Sequence, residues 1–401
     1  MSEARSLTFE ELRSAVAGSA CAFRCRCELQ PAAGEGGKVF PPTYAGAVYA
    51  KEQRRVPGRD EPVECVLLDS VQSQANRMEE ALQAAVDTGR LKIPVIEVDF
   101  ATTELLRAIG KVTSLQAPHR IADAILRDSL LNGKPFRETA EGMSLSKASP
   151  VNATTLYRLC PTALIFGLWD STGPMGGLGA KFQRTIVSEI VGIDAVYGVK
   201  TSSRIDPLQV RAAVKVIKRE GGWVIADDPK AKGTVSPAEV NHGNITPDIT
   251  PGGVTITAAE QTITLSLPAL RRLRFPLNGE VDCKVDCKVD QAGQTVLAAL
   301  ALCAVALTAE KGFDLRSRCL LWPAGPMEWE LLDRPGQSPS RYAFAAGDAL
   351  SALEQAVIAA EKVGLRWSTT SLKLTPAPQL VELVRRSQER DMVRDSEEGD
   401  G

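Results

Sequence analysis

Aromatic residues make up only 5% of this 401-residue chain, histidine occurs twice, and the charges nearly cancel. Each scarcity excludes something. With 47 Lys and Arg against 49 Asp and Glu, the formal charge of −2 carries no bulk basicity, so any polyanion site must be a local concentration of cations. So few aromatics argue against a surface built mainly from base-stacking platforms. The two histidines are His119 and His242, and a zinc site would have to recruit distant thiolates. The longest apolar run, 296–307, is too short to cross a bilayer and reads as a buried helix. The N-terminal "MSEARSLTFEELRSAVAG" is charged and begins a helix, not a secretory signal. These features predict a cytoplasmic protein without membrane, metal or cofactor, whose nine irregularly spaced cysteines are free thiols.

What is present is a chain long enough for two or three domains or one elaborated one, 44% hydrophobic and 24% charged. Thr8 and Glu11 form a capping box, and "ACAFRCRCEL" alternates as a strand that puts Cys25 and Cys27 on one buried face. "VECVLL" and "PVIEVDF" read as strands around a helix carrying Met78, Leu82 and Ala85 at helical spacing. "APHRIADAILRDSLLNG" reads as a helix, 133–152 as an irregular excursion, and the apolar "TALIFGLW" as a buried strand. "DPLQVRAAVKVIKREGG" has the N-cap, Pro and Gly punctuation of a helix. An insertion rich in Pro, Gly, Asn and Thr follows at 227–253, then a hairpin, "VTITAAEQTITLSL", and a short basic helix at 268–276. "VDCKVDCKVD" is a tandem duplication that fits a variable loop better than a zinc site. Helices alternate with strands at the C-terminus, and the last dozen residues form a charged tail expected to be disordered. This intermingling predicts an α+β fold with inserted lobes.

The most informative stretch is "WDSTGPMGGLGAKFQRTIVSEIVG", residues 169–192. Read as strand, glycine loop and helix, it fails both nucleotide fingerprints. Ala180 separates Gly179 from Lys181 where a phosphate loop needs Gly-Lys, and Phe182 replaces the third glycine of a dinucleotide loop. Lys181 and Arg184 would then sit in the first helical turns, where cations are unfavourable without an anion. Gly177 and Gly179 would let backbone approach that anion closely. A phosphodiester backbone satisfies this pattern. Ser70, Gln72, Ser73, Gln74, Asn76 and Arg77 crowd a second strand–helix junction with groups able to bond phosphate or sugar oxygens.

Together, "LLDSVQSQANRMEEAL", "PHRIADAILRDS", the 169–192 stretch and "TLSLPALRRLRFP" closely resemble the backbone subunit of type I-G (formerly I-U) CRISPR interference complexes. That subunit is a Cas-seven-type member of the RAMP superfamily, and the resemblance runs from about residue 20 to 375. It implies a modified RRM or ferredoxin-like palm with inserted finger and thumb lobes. Residues 1–390 would form one elaborated domain, with lobes at 133–152 and 227–265 (the second being the thumb) and a disordered tail at 391–401. It also implies copies stacked along a guide RNA (crRNA), which pairs with target DNA, in contact with other subunits of the complex. The short aromatic motifs by which ordinary RRMs stack bases are missing. The expected RNA contacts are Ser70, Gln72, Gln74, Asn76, Arg77, His119, Arg120, Gly177, Gly179, Lys181, Gln183, Arg184, Arg271 and Arg272. No catalytic residue is expected. The alternatives are a metal-dependent ribonuclease using Asp170 or Asp69, and guide processing with His119 as base.

Overall fold

The computed structural model describes residues 4–172, 179–219, 222–277 and 287–398. The chain is mixed α/β and divides into two compact units. The first comprises residues 1–100, 110–196 and 255–377; the second comprises 101–109, 197–254 and 378–401.

Among the described residues, ten strands form the main sheet of the first unit. Helix α1 (Phe9–Ala17), opened by the Thr8–Glu11 capping box, leads into β1 (Ala22–Pro31). Then come β2 (Val63–Asp69), α2 (Val71–Asp87), α3 (Thr162–Phe166), and the short β3 (Leu168–Trp169) and β4 (Lys181–Phe182). They are followed by β5 (Ile186–Ile193), β6 (Ala258–Ser266), α4 (Leu267–Arg271) and α5 (Cys287–Lys311). The unit is completed by β7 (Glu328–Leu332), β8 (Ser340–Ala343) and α6 (Ala346–Lys362), among other elements. Across the sheet the order runs β8, β7, β1, β6, β5, β2, ending on Lys51–Arg54. Both β6 and β7 pair antiparallel with β1, so they run parallel to each other around it, joined through α5. This is a split β–α–β arrangement.

One face of the sheet is the core. Phe23, Cys25, Cys27 and Leu29 of β1 and Ala259, Ile263 and Leu265 of β6 are all buried. Helix α2 packs on β5, and α5 packs against α1, α2, α4 and α6. Helix α5 is long and apolar enough to cross a membrane by length and composition, beyond the run read from sequence. Yet its side chains from Val289 to Thr308 are almost all buried in this core. The opposite face is laced with ion pairs: Arg24–Glu330 at 2.6 Å, Arg26–Glu260 at 2.5 Å, Arg54–Glu189 at 2.8 Å and Arg341–Glu328 at 3.5 Å.

Several expected elements differ. The helix expected after the glycine loop is strand β5. Phe182, Ile186 and Ile190 recur every four residues, which suits a strand face as well as a helix stripe, and the β-branched "TIV" and "EIV" favour the strand. "TALIF" is helix α3, with only Leu168 and Trp169 extended, because an apolar run carries no period. Residues 118–133 break into a single 3₁₀ turn, the short helix Ala124–Arg127 and the strand Ser129–Leu131. The candidate lobe at 133–152 belongs to the first unit, where Ser129–Leu131 and Lys134–Pro135 join a five-stranded sheet. Of the candidate thumb at 227–265, residues 258–265 are central strand β6, paired with β1 and β5 and not folded back as a hairpin.

The second unit contains a ribbon of Val196–Arg204 with Ile245–Thr255, and a three-stranded sheet of Val216–Arg219, Gly222–Ile225 and Thr234–Val235. Among the described residues of 206–222 the expected helix is absent. Asp206 instead caps a turn, accepting from the amides of Leu208, Val210 and Gly243. Helix Pro378–Glu398 includes most of the segment expected to be a disordered tail, and Gln388 exchanges hydrogen bonds with the Arg107 backbone.

Candidate nucleic-acid interface

A groove of about 1060 Å³ opens in the first unit where the start of α2, residues 118–120, α3 with the β3–β4 ribbon, residues 183–187 and the end of α4 converge. Its lining includes Gln72, Asn76, His119, Arg120, Lys181, Gln183, Arg184 and Arg272, eight of the fourteen expected contacts. No Asp or Glu lines it among the described residues.

The junction of β2 and α2 sorts its polar residues by helical position. Gln72 and Asn76, four apart, are exposed to the groove. Ser70, Gln74 and Arg77, expected to contact RNA, turn elsewhere. Ser70 caps α2 by accepting from the Ser73 amide at 3.2 Å. Gln74 is buried, donating to Asp69 Oδ2 at 2.7 Å and accepting from Ser188 Oγ and Gln261 Nε2 at 2.8 Å each. Arg77 pairs with Asp69 at 2.9 Å and donates to the carbonyl of Leu315. Arg316 and Ser73 complete the shell of the fully buried Asp69, at 3.1 and 2.8 Å. A buried carboxylate demands such partners, and here they are the residues that looked like RNA donors.

Arg120 is likewise committed. It is buried, grips Glu79 through two 2.7 Å bonds and donates to the Gly167 carbonyl at 3.2 Å. Burial pushes the Glu79 carboxyl up, to about 7, against the pull of Arg120. Arg271 donates to the carbonyls of Ala15, Val16 and Ala20 and so closes the end of α1, while Arg274 pairs with Asp290. Arg272, between them, faces the groove and is exposed.

The ribbon supplies the remaining polar wall. Trp169 and Lys181 sit opposite each other in the β3–β4 pair, as do Leu168 and Phe182. Strand alternation buries the second couple and exposes the first, with the Lys181 ammonium 5.5 Å from the Trp169 ring centroid. Gly179 is required at the ribbon's edge, because a Cβ there would lie 2.1 Å from the Asp170 carbonyl oxygen. Gly177 lies outside the described residues. Gln183 and Arg184 follow Lys181 into the groove, both exposed. Among the described residues, no carboxylate pairs with Lys181, Arg184 or Arg272.

The two aspartates considered for chemistry are both enclosed. Asp170, 1% exposed, accepts from Arg137 at 2.6 and 3.0 Å, and Asp69 is occupied as above. His119 lies exposed on the groove wall, its backbone amide donating to Asp123. Among the described residues, no cluster of His, Cys, Asp and Glu has the arrangement of a metal site. The duplicated segment lies mostly outside the described residues, at 281–286.

Trp169 and Ser171 line the groove too, and sequence reasoning did not select them. For Trp169 a signal exists: the residue closes an apolar run directly before the polar "DSTG" turn.

Residues 23–197 match the model of a family described as CRISPR-associated protein GSU0053. The match makes this part of the chain, less than half of its length, similar to a CRISPR-associated family. It takes in every groove residue discussed above except Arg272. No curated protein matches the chain.

Proposed function

We propose that this protein is a non-catalytic, cytoplasmic scaffold that binds the guide RNA of a type I CRISPR effector complex. Copies assemble along the guide spacer and present it for pairing with target DNA, in contact with the complex's other subunits. The observation that carries the reading is a groove holding Lys181, Arg184 and Arg272, with amide donors beside them and no carboxylate among its described lining. Elsewhere in the first unit arginines are heavily committed to ion pairs, so three cations without such partners mark a place that awaits an anion. Cations and amides directed at a backbone bind without regard to sequence, as a guide scaffold requires.

The split β–α–β core suits an RRM-like palm. Its open face is filled by ion pairs, so RNA would run along the groove at the sheet's end and not across the sheet. The second unit is the natural candidate for an inserted lobe. The test is light scattering on size-exclusion peaks, with absorbance at 260 and 280 nm, before and after ribonuclease. A large RNA-containing species that collapses on digestion supports the scaffold. A nucleic-acid-free monomer that stays monomeric with guide RNA and partner subunits overturns it.

A further inference from the structure

Trp169 is 59% exposed; Trp322 and Trp223 are exposed as well, but of the three only Trp169 lines the groove. The ribbon builds this exposure. Leu168 and Phe182 face inward, and the antiparallel pairing of Trp169 with Lys181 leaves the indole no inward position. Phe166 and Phe182, the other Phe, Tyr or Trp side chains in the described lining, are buried, so among the described residues of the groove Trp169 is the one available to a ligand. The Lys181 ammonium near its ring adds a cation where a phosphate would lie beside a stacked base, and an aromatic face accepts any base.

We infer that Trp169 is a stacking platform for one unpaired nucleobase, which fixes the register of single-stranded RNA across the groove while Lys181 and Arg184 hold its flanking phosphates. This rests on the proposed reading of the groove and adds to it a contact with a base. A scaffold that gripped phosphates alone would let the strand slide; one stacked base per copy sets a step. Base stacking tolerates every sequence, so the platform costs the scaffold none of its generality.

The experiment uses fluorescence anisotropy with two labelled single strands of equal length, an ordinary RNA and an abasic oligoribonucleotide with the same phosphates. The full-length proteins are wild type, Trp169→Leu, Trp169→Phe and Lys181→Ala/Arg184→Ala. The inference predicts that Trp169→Leu binds the ordinary RNA on the order of tenfold more weakly. It should bind the abasic strand as wild type does, and Trp169→Phe should recover most of the loss. Equal binding of ordinary RNA by Trp169→Leu and wild type would overturn the platform, as would an equal loss on both strands. The double mutant should lose affinity for both strands. If it binds both as wild type does, the phosphate groove itself is wrong, whatever Trp169 does.

Discussion

Arg137 donates to both carboxylate oxygens of Asp170, at 2.6 and 3.0 Å, and Asp170 directly follows strand β3 of the groove's ribbon. On the scaffold reading this ion pair is architecture. Removing one partner of a buried pair strands the other charge, so Asp170→Ala should lose about 3 kcal/mol or more of stability in thermal unfolding. Incubation of guide-loaded protein with complementary RNA and magnesium should give no cleavage in wild type or variant. Cleavage by wild type that disappears in an equally stable Asp170→Ala would move Asp170 into chemistry.

Arg77 and Arg184 looked equivalent in sequence and should part in experiment. Arg77 serves the buried Asp69, so Arg77→Ala should cost on the order of 1–3 kcal/mol in denaturant unfolding and leave RNA affinity of the folded protein near wild type. Arg184→Ala should do the reverse, leaving stability within about 0.5 kcal/mol and weakening RNA binding. Weakened binding by Arg77→Ala at unchanged stability would restore Arg77 to the interface.

Gly179 carries the ribbon's edge for steric reasons. A methyl group there meets backbone, whereas one at Gly325 meets nothing within 4 Å. Gly179→Ala should therefore lower stability by roughly 1–3 kcal/mol and Gly325→Ala hardly at all, measured side by side by calorimetry.

The cysteines give a pH-linked prediction. Burial pushes the Cys25 and Cys303 thiols up to about 12 and Cys27 to about 11, whereas Cys21 and Cys287 are exposed. The thiolate is the reactive form, and its fraction falls about tenfold for each unit the pKa stands above the pH. Brief alkylation of native protein at pH 8 followed by peptide mass spectrometry should find Cys21 and Cys287 modified and the other three spared. Equal labelling of Cys25 and Cys21 would contradict the buried face of β1.

Local signals served well where they were redundant. Helix α2 carried an N-cap serine and an apolar stripe at helical spacing, and β1 alternated over ten residues. They failed where one spacing served two structures: Phe182, Ile186 and Ile190 are in phase for both periods, and "TALIF" is in phase for neither. The same limit applies to the groove. The density of donors at 70–77 was legible, but which of them face solvent depends on Asp69, whose burial is a tertiary fact. The i, i+4 relation of Gln72 and Asn76 already separates them from Gln74 and Arg77 on a helical wheel. Arg271 and Arg272 could be told apart only once α4 met the end of α1.

The most direct test of the groove is the salt dependence of single-stranded RNA binding by wild type and by Lys181→Ala/Arg184→Ala. Each neutralised phosphate contributes about 0.7 to the slope of log affinity against log salt, so losing two cations should weaken binding and flatten the slope by about 1.4. A double mutant that keeps both the affinity and the slope of wild type would contradict the assignment of this groove to RNA.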